Sequence, residues 1–186
     1  IGPFIGIDTP VAVVQMLWIN IIMDTLAGLA FAGEPPLKEY MKERPKRRDE
    51  PVLNRYMLNQ IVCMGLFTIF LCVAFLKLPS ISGLFRPAQD HIYLMTAFFA
   101  LFIFCGVFNS FNARTHRLNL LGHLSKNKSF LLIMLAVVAV QLLLIFFGGS
   151  LFRTAGLTWK ELQTVLWLPF LVVPADLLRK IFLRLA

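Results

Sequence analysis

The polar pair Asn20 and Asp24 lies in the middle of an apolar stretch, from Val11 to Gly33, that is long enough to cross a bilayer. On an α-helix, side chains four positions apart lie on one face, one turn from each other. A carboxylate and an amide carbonyl form an all-oxygen pair, and hard cations such as Ca²⁺ prefer oxygen ligands. The spacing therefore predicts a cation site on one face of a membrane helix.

Asp24 is costly to place in a membrane. An aspartate near the bilayer centre costs about 2.5–3.5 kcal/mol on insertion scales, so such a residue normally faces a protein interior and marks an ion or proton pathway. The same position also suits an aspartate that bonds to a neighbouring helix without any ion. Mn²⁺ takes similar oxygen ligands, and a protonatable aspartate could carry H⁺ instead. Gly28 and Gly33 follow on the C-terminal side, where we expect the helix to loosen if it wraps around an ion.

The composition is that of a polytopic membrane protein. Hydrophobic residues make up 58% of the 186 residues and charged residues only 15%. We therefore expect an all-α fold, a membrane bundle of five transmembrane helices that forms one domain over residues 1–186. The net charge is +8, but the basic residues are confined to particular loops. That distribution is typical of membrane orientation, so the lipid bilayer and not a nucleic acid is the expected partner.

Five predicted spans cover residues 11–33, 57–78, 92–111, 130–147 and 162–182. Proline follows the first two, at Pro35 and Pro79, because it cannot continue the hydrogen-bond ladder of a helix. The fourth span is apolar except for Gln141 and ends before Gly148.

The last span has several local signals. Thr158 followed by Glu161 has the spacing of an N-terminal capping box. Pro169 and Pro174 predict a kink. Asp176 has basic residues three and four positions later, which is good spacing for a helical ion pair at the membrane interface.

Basic residues are unevenly distributed among the loops. The 34–56 loop holds seven Lys and Arg, the 114–129 loop four and the C-terminal end three, whereas the two remaining loops share four. By the positive-inside rule the richer loops lie in the cytoplasm. The first span therefore runs from outside to inside, and the C-terminus is cytoplasmic.

The cysteines and histidines do not have the spacing of a metal site. Cys63, Cys72 and Cys105 all lie in apolar segments, where free cysteine behaves as a small hydrophobe. His116 and His123 are seven positions apart in a basic loop without an acidic partner. We interpret them as solvated loop residues.

The stretch QMLWINIIMDTLAGLAFAGEPP (residues 15–36) closely resembles the sixth membrane helix of P-type calcium-transporting ATPases, especially the plasma-membrane type. The shared features are a Trp, an Asn two residues later, an Asp-Thr pair and a closing Glu-Pro-Pro. Weaker similarity continues through FNSFNAR (108–114) to LPFLVVPADLLRKI (168–181). The resemblance covers nearly the whole chain and implies the C-terminal membrane part of such a pump, in a cell membrane and of prokaryotic origin.

The resemblance also implies roles for parts of the chain. Asn20 and Asp24 fall on the family's ion-ligand positions, and the 34–56 loop corresponds to one that contacts the phosphorylation domain. ATP and Mg²⁺ would be bound by domains that are missing here, since the sequence contains no Asp-Lys-Thr-Gly-Thr motif. Because the chain begins with Ile1, we expect it to be a piece of a longer pump, inactive alone and completed by the remainder of that pump.

A further expectation is one Ca²⁺ per transport cycle. By the resemblance, two-site pumps carry another acidic residue in the helix equivalent to residues 92–111, where this chain has none. They also have Thr immediately before the Asp of the sixth helix, where this chain has Met23, a poor ligand for hard cations. Unbalanced charge in a low-dielectric site is costly, and Asp24 is the one uncommitted carboxylate within the five spans.

Other classes of function are compatible with the same residues. A stand-alone channel or a secondary carrier could use the intramembrane aspartate, although secondary carriers often contain internal repeats and no convincing one occurs in this sequence. A non-catalytic membrane partner with the fold of the pump is the remaining alternative. An Asp-Lys-Thr-Gly-Thr motif upstream in the same reading frame would decide for the pump.

Overall fold

The computed structural model of the chain describes residues 11–34, 51, 53–115, 118–120, 122 and 124–185, without the side chains of Met23, Asp24, Gln89, Ser125 and Leu185. The predictions for residues 1–10, for the body of the 34–56 loop and for His116 and His123 lie outside the described residues. Within the described ranges the regular structure is helical, with no strand, and the expected all-α fold is confirmed.

The helices run up and down through a bundle. The first segment comprises α1 (Val13–Asn20), a π-helical turn (Ile21–Leu26) and α2 (Ala27–Ala32). The later helices of the described chain are α3 (Arg55–Lys77), α4 (Pro79–Ser82), α5 (Ile92–Ala113), α6 (Lys128–Phe147), α7 (Gly149–Phe152), α8 (Trp159–Phe170) and α9 (Val172–Leu185).

Three helices of the described chain, α3, α5 and α6, are long and apolar enough to cross a membrane. They are 23, 22 and 20 residues long, and their ends lie within two residues of those expected for the second, third and fourth spans. The first and fifth spans are each divided into shorter helices. The number of five spans therefore stays a prediction.

Proline explains two of the breaks between consecutive helices, the one between α3 and α4 and the one between α8 and α9. Leu78 is extended, at ψ 116°, and Pro79 begins α4 directly after it. Pro169 lies inside α8, which ends one residue later, and Leu171 separates α8 from α9. Because proline has no N–H and its ring clashes with the preceding turn, the regular helix is interrupted at these points. The last span is thus interrupted beside Pro169, and the kink expected there stays a prediction.

The helix α5 lies at the centre of the bundle and contacts α3, α6, α8 and α9. Leu101 and Phe104 of α5 belong to a buried cluster with Phe75 of α3. Phe99 and Ile103 belong to a second cluster, with buried residues of the first segment and of α6. Thus α5 contributes to both clusters, whereas α2 of the first segment packs against α6.

One end of the bundle, where α2, α5 and α9 finish and α3 and α6 begin, is called the basic end here. At this end Asp176 Oδ1 lies 2.7 Å from Arg179 Nε, and Asp176 Oδ2 lies 2.8 Å from Lys180 Nζ. Lys180 Nζ also donates to the carbonyls of Asn112 and Thr115. The expected ion pair is confirmed, and Asp176 is 0% exposed, because Lys180 reaches across to the end of α5. Its place at the membrane interface stays a prediction.

At the opposite end, Arg86 of the loop between α4 and α5 pairs with Glu161 in the first turn of α8, and the sequence analysis did not predict this pair. The backbone N–H and Nε of Arg86 donate to Glu161 Oε1 at 2.9 and 3.1 Å. Glu161 also forms the expected capping box, in which its Oε2 accepts from the Thr158 N–H at 2.6 Å. Burial alone would raise the pKa of Glu161, but the hydrogen bonds from Arg86 and Thr158 outweigh it and lower the pKa to about 2.

Candidate cation site

The segment that carries Asn20 and Asp24 is not a regular α-helix. Asn20 is the last residue of α1, and Asp24 lies within the π-helical turn Ile21–Leu26. The N–H of Ala27 donates to the carbonyl of Ile22, five residues earlier. A π-helical turn inside an α-helix is rare and is found frequently at functional sites. The backbone around Asp24 is therefore wound differently from the helix on either side.

The turn does not lie at the glycines where loosening was expected. Gly28 belongs to the regular helix α2, and Gly33 follows the end of α2. The turn itself contains neither Gly nor Pro. Its residues Ile21, Ile22 and Thr25 are β-branched, and such side chains are restricted in a regular helix. The helix does loosen, but before the glycines, so the expected place was wrong.

Asn20 lies on the side of the first segment that faces away from the bundle. Ile22 and Ala30 of the same segment are buried, at 4% and 0% exposure, in the cluster shared with α5 and α6. Asn20 is exposed and makes no side-chain hydrogen bond to the described part of the chain. The pairing of Asn20 with Asp24 stays a prediction, because the Asp24 side chain is not among the described atoms.

Two hydrogen bonds hold α1 on the side opposite to Asn20. Gln15 Nε2 donates to the Phe152 carbonyl in α7 at 2.7 Å, while Gln15 Oε1 accepts from the Ala12 N–H. Three residues later, Trp18 Nε1 donates to Gln141 Oε1 of α6 at 3.3 Å. Gln141 is 0% exposed. These contacts attach α1 to two neighbouring helices before the π-helical turn begins.

A second group of contacts holds the other end of the first segment. Glu34 Oε1 lies 3.1 Å from Arg114 Nη1, and Glu34 Oε2 accepts from Asn127 Nδ2 at 2.6 Å. Arg114 Nη2 also donates to the carbonyls of Leu120 and Gly122. The side chain of Arg114 is only 1% exposed. The end of the first segment is thus joined to the end of α5 and to the residue that precedes α6.

The π-helical turn lies between these two sets of contacts. A polar group buried in an apolar helix must find a partner, and this signal could have singled out Gln141 from the sequence. No such signal identified Trp18, whose indole is common in apolar segments, or Arg114, which was counted only as a basic loop residue. The arrangement bonds both ends of the first segment to neighbouring helices, with the π-helical turn between them.

Comparison with known proteins identifies the family. Residues 8–182 match the family described as "Cation transporting ATPase, C-terminus". The chain belongs to this family. It is therefore an integral membrane protein region, as the three long apolar helices also indicate.

Two relatives within the cation-transporting ATPases illustrate the likeness. "Probable calcium-transporting ATPase 9, plasma membrane-type" of Oryza sativa subsp. japonica is 35% identical over 159 residues, which cover 83% of this chain and 15% of that protein. "Plasma membrane calcium-transporting ATPase mca-1" of Caenorhabditis elegans is 36% identical over 174 residues, which cover 88% of this chain and 14% of that protein.

The resemblance to the C-terminal region of a P-type calcium-transporting ATPase is thereby confirmed. This chain spans about 15% of the length of the first of those relatives. Both relatives come from eukaryotes, so the expected prokaryotic origin is unsupported.

Proposed function

We propose that this chain is the C-terminal part of the transport domain of an ATP-driven Ca²⁺ pump in the plasma membrane. Its role is to supply Asn20 and Asp24 as oxygen ligands for the transported ion and to couple their helix to the cytoplasmic loop. The observation that supports this most is the π-helical turn around Asp24, in a chain of this family.

In this proposal the two ligands contribute differently to the Ca²⁺ affinity, because only one of them is charged. A cation that enters the site exchanges water for protein oxygens. Asp24 supplies negative charge, whereas Asn20 supplies a neutral carbonyl oxygen, so Asp24 contributes more to affinity. Because the first segment is bonded to its neighbours at both ends, rewinding of the π-helical turn is the motion by which the ligands gather around the ion or release it.

The rest of the cycle belongs to the remainder of the pump. ATP and Mg²⁺ are bound by domains outside this chain, and the chain alone is inactive. The 34–56 loop lies in the cytoplasm with the C-terminus and transmits movements of the phosphorylation domain. The bonds of Glu34 to Arg114 and Asn127 support this role, because Glu34 stands where the first segment passes into that loop.

Family membership does not favour the alternatives. A stand-alone channel, a secondary carrier or a non-catalytic partner of the same fold would form no phosphorylated intermediate. A pump forms one when ATP and Ca²⁺ are both present. Absence of Ca²⁺-dependent phosphorylation in the wild-type full-length protein would therefore contradict the proposed function.

Asp24→Asn in the full-length pump tests the ligand assignment. We expect loss of Ca²⁺-dependent phosphorylation by ATP, because a neutral amide cannot balance the charge of the ion. Asn20→Ala should weaken the apparent Ca²⁺ affinity less. Asp90→Asn is the matched control, since Asp90 is exposed in the loop between α4 and α5, and it should change nothing. Near wild-type Ca²⁺ affinity in Asp24→Asn would refute the assignment.

A further inference from the structure

We infer that Trp18 and Gln141 are positioning residues of the cation site: their hydrogen bond sets where the Asn20 side chain lies and so sets the Ca²⁺ affinity. The inference rests on the proposed function, because it requires Asn20 to be a ligand. Neither residue touches the ion in this scheme. Both act through the placement of α1.

The first step in the argument is the rigidity of α1. Gln15 and Trp18 lie three residues apart on one face, and their side chains are bonded to α7 and α6. Two attachment points almost one turn apart determine both the rotation of a helix and its depth in the bundle. Asn20 follows Trp18 by two residues within the same regular helix. Its position is therefore determined by these bonds and not by contacts of its own.

The second step is the burial of the acceptor. Gln141 is 0% exposed and its Oε1 accepts from Trp18 Nε1, while its Nε2 has no partner within the described part of the chain. A buried amide that loses its one bond cannot replace it with water, so α1 is strongly favoured in the position that keeps the bond. Trp18 also packs against the apolar cluster that contains Ile22 and Val137, and such packing would still permit small shifts of α1. The hydrogen bond is directional and so allows only one position of α1 along α6.

The third step is the separation of this contact from the other end of the segment. The bonds of Glu34 lie beyond the π-helical turn, in which the ladder of hydrogen bonds changes from four to five residues. A displacement at Glu34 can be absorbed by rewinding of that turn. A displacement at Trp18 cannot, because no irregular backbone separates Trp18 from Asn20. Of the two sets of contacts, only the one that includes Trp18 determines the position of Asn20 directly.

Trp18→Phe and Gln141→Leu in the full-length pump test the inference, since each removes the hydrogen bond and leaves an apolar side chain at that position. The measurement is the Ca²⁺ concentration that gives half-maximal phosphorylation by ATP. We expect it to rise about fivefold in either variant, which corresponds to the loss of one neutral hydrogen bond. The apparent Ca²⁺ affinity of the double variant should be no lower than that of the more affected single variant, because both changes break the same bond. Trp167→Phe, at a side chain that is 68% exposed, is the matched control and should have no effect.

A second arm separates positioning from general loss of structure. In the Asn20→Ala background, Trp18→Phe should cause no further loss of Ca²⁺ affinity, because the ligand that it positions is gone. Phosphorylation by inorganic phosphate without Ca²⁺ should stay at the wild-type level. An equal loss in both backgrounds, no loss in either, or a parallel loss of phosphorylation by inorganic phosphate would overturn the inference. If Asn20→Ala weakens affinity and Trp18→Phe does not, only this inference fails; if Asn20→Ala has no effect, the assignment of Asn20 as a ligand fails with it.

Discussion

The carboxylate of Glu34 lies 3.1 Å from the guanidinium of Arg114, and this contact joins the end of the first segment to the end of α5. The guanidinium also lies 5.7 Å from the ring centre of Phe130 and donates to the carbonyls of Leu120 and Gly122. One buried cation thus holds together the first segment, α5 and the connection to α6. In the proposed pump, this contact transmits movement of the cytoplasmic loop to the membrane helices.

Replacement of Arg114 should therefore destabilise the bundle. Arg114→Gln leaves the Glu34 carboxylate without its cation and removes the donor to two carbonyls, so we expect the free energy of unfolding to fall by about 1–3 kcal/mol. Thermal unfolding of the full-length protein in detergent measures this change. Arg55→Gln is the control, because Arg55 is exposed at the same basic end. Equal midpoints for Arg114→Gln and the wild type would show that the contact contributes nothing to stability.

The bond between Arg86 and Glu161 should make stability depend on pH in the acid range. The folded-state pKa of Glu161 is about 2, below its usual value of 4.5. A lowered carboxyl pKa stabilises the fold above the usual value, and this contribution is lost as the pH falls from about 4.5 toward 2. Unfolding midpoints measured across this range should decline more steeply in the wild type than in Glu161→Gln. If the unfolding midpoints of the wild type and of Glu161→Gln decline in parallel, the contribution of ionised Glu161 to stability is refuted.

The 34–56 loop should be cytoplasmic. A cysteine introduced at Lys46, in a full-length protein whose native cysteines are replaced, should react with a membrane-impermeant reagent only after the cells are opened. Lys160→Cys is the matched control, because Lys160 is exposed at the opposite end of the bundle and should react in intact cells. Labelling of position 46 from outside would reverse the proposed orientation.

The full-length pump should bind one Ca²⁺ per phosphorylation site. Of the two carboxylates in the predicted spans, Asp176 is already paired with Arg179 and Lys180, so Asp24 is the carboxylate expected to bind the ion. Equilibrium binding of radioactive calcium, counted against the amount of phosphorylated protein, measures the ratio. Two ions bound cooperatively would mean that the other membrane helices contribute a second site.

Much of the architecture follows from local sequence. Runs of apolar residues set the ends of α3, α5 and α6 to within two residues, because the length of a membrane helix is dictated by the bilayer and proline or glycine stops it. The capping box at Thr158 and the pairing of Asp176 were also predictable. Each depends on residues three or four positions apart, which meet in any helix.

The contacts at the two ends of the first segment were decided by tertiary structure alone. Trp18 and Gln141 are 123 positions apart, and Glu34 and Arg114 are 80 apart. Polar side chains so far apart in the sequence meet only if their helices become neighbours. Helix periodicity does not indicate which helices become neighbours. The π-helical turn likewise could not be located from Gly28 or Gly33, since it contains neither and lies between the contacts at the two ends of the segment. Those contacts come from helices far apart in the sequence, which only the tertiary structure brings together.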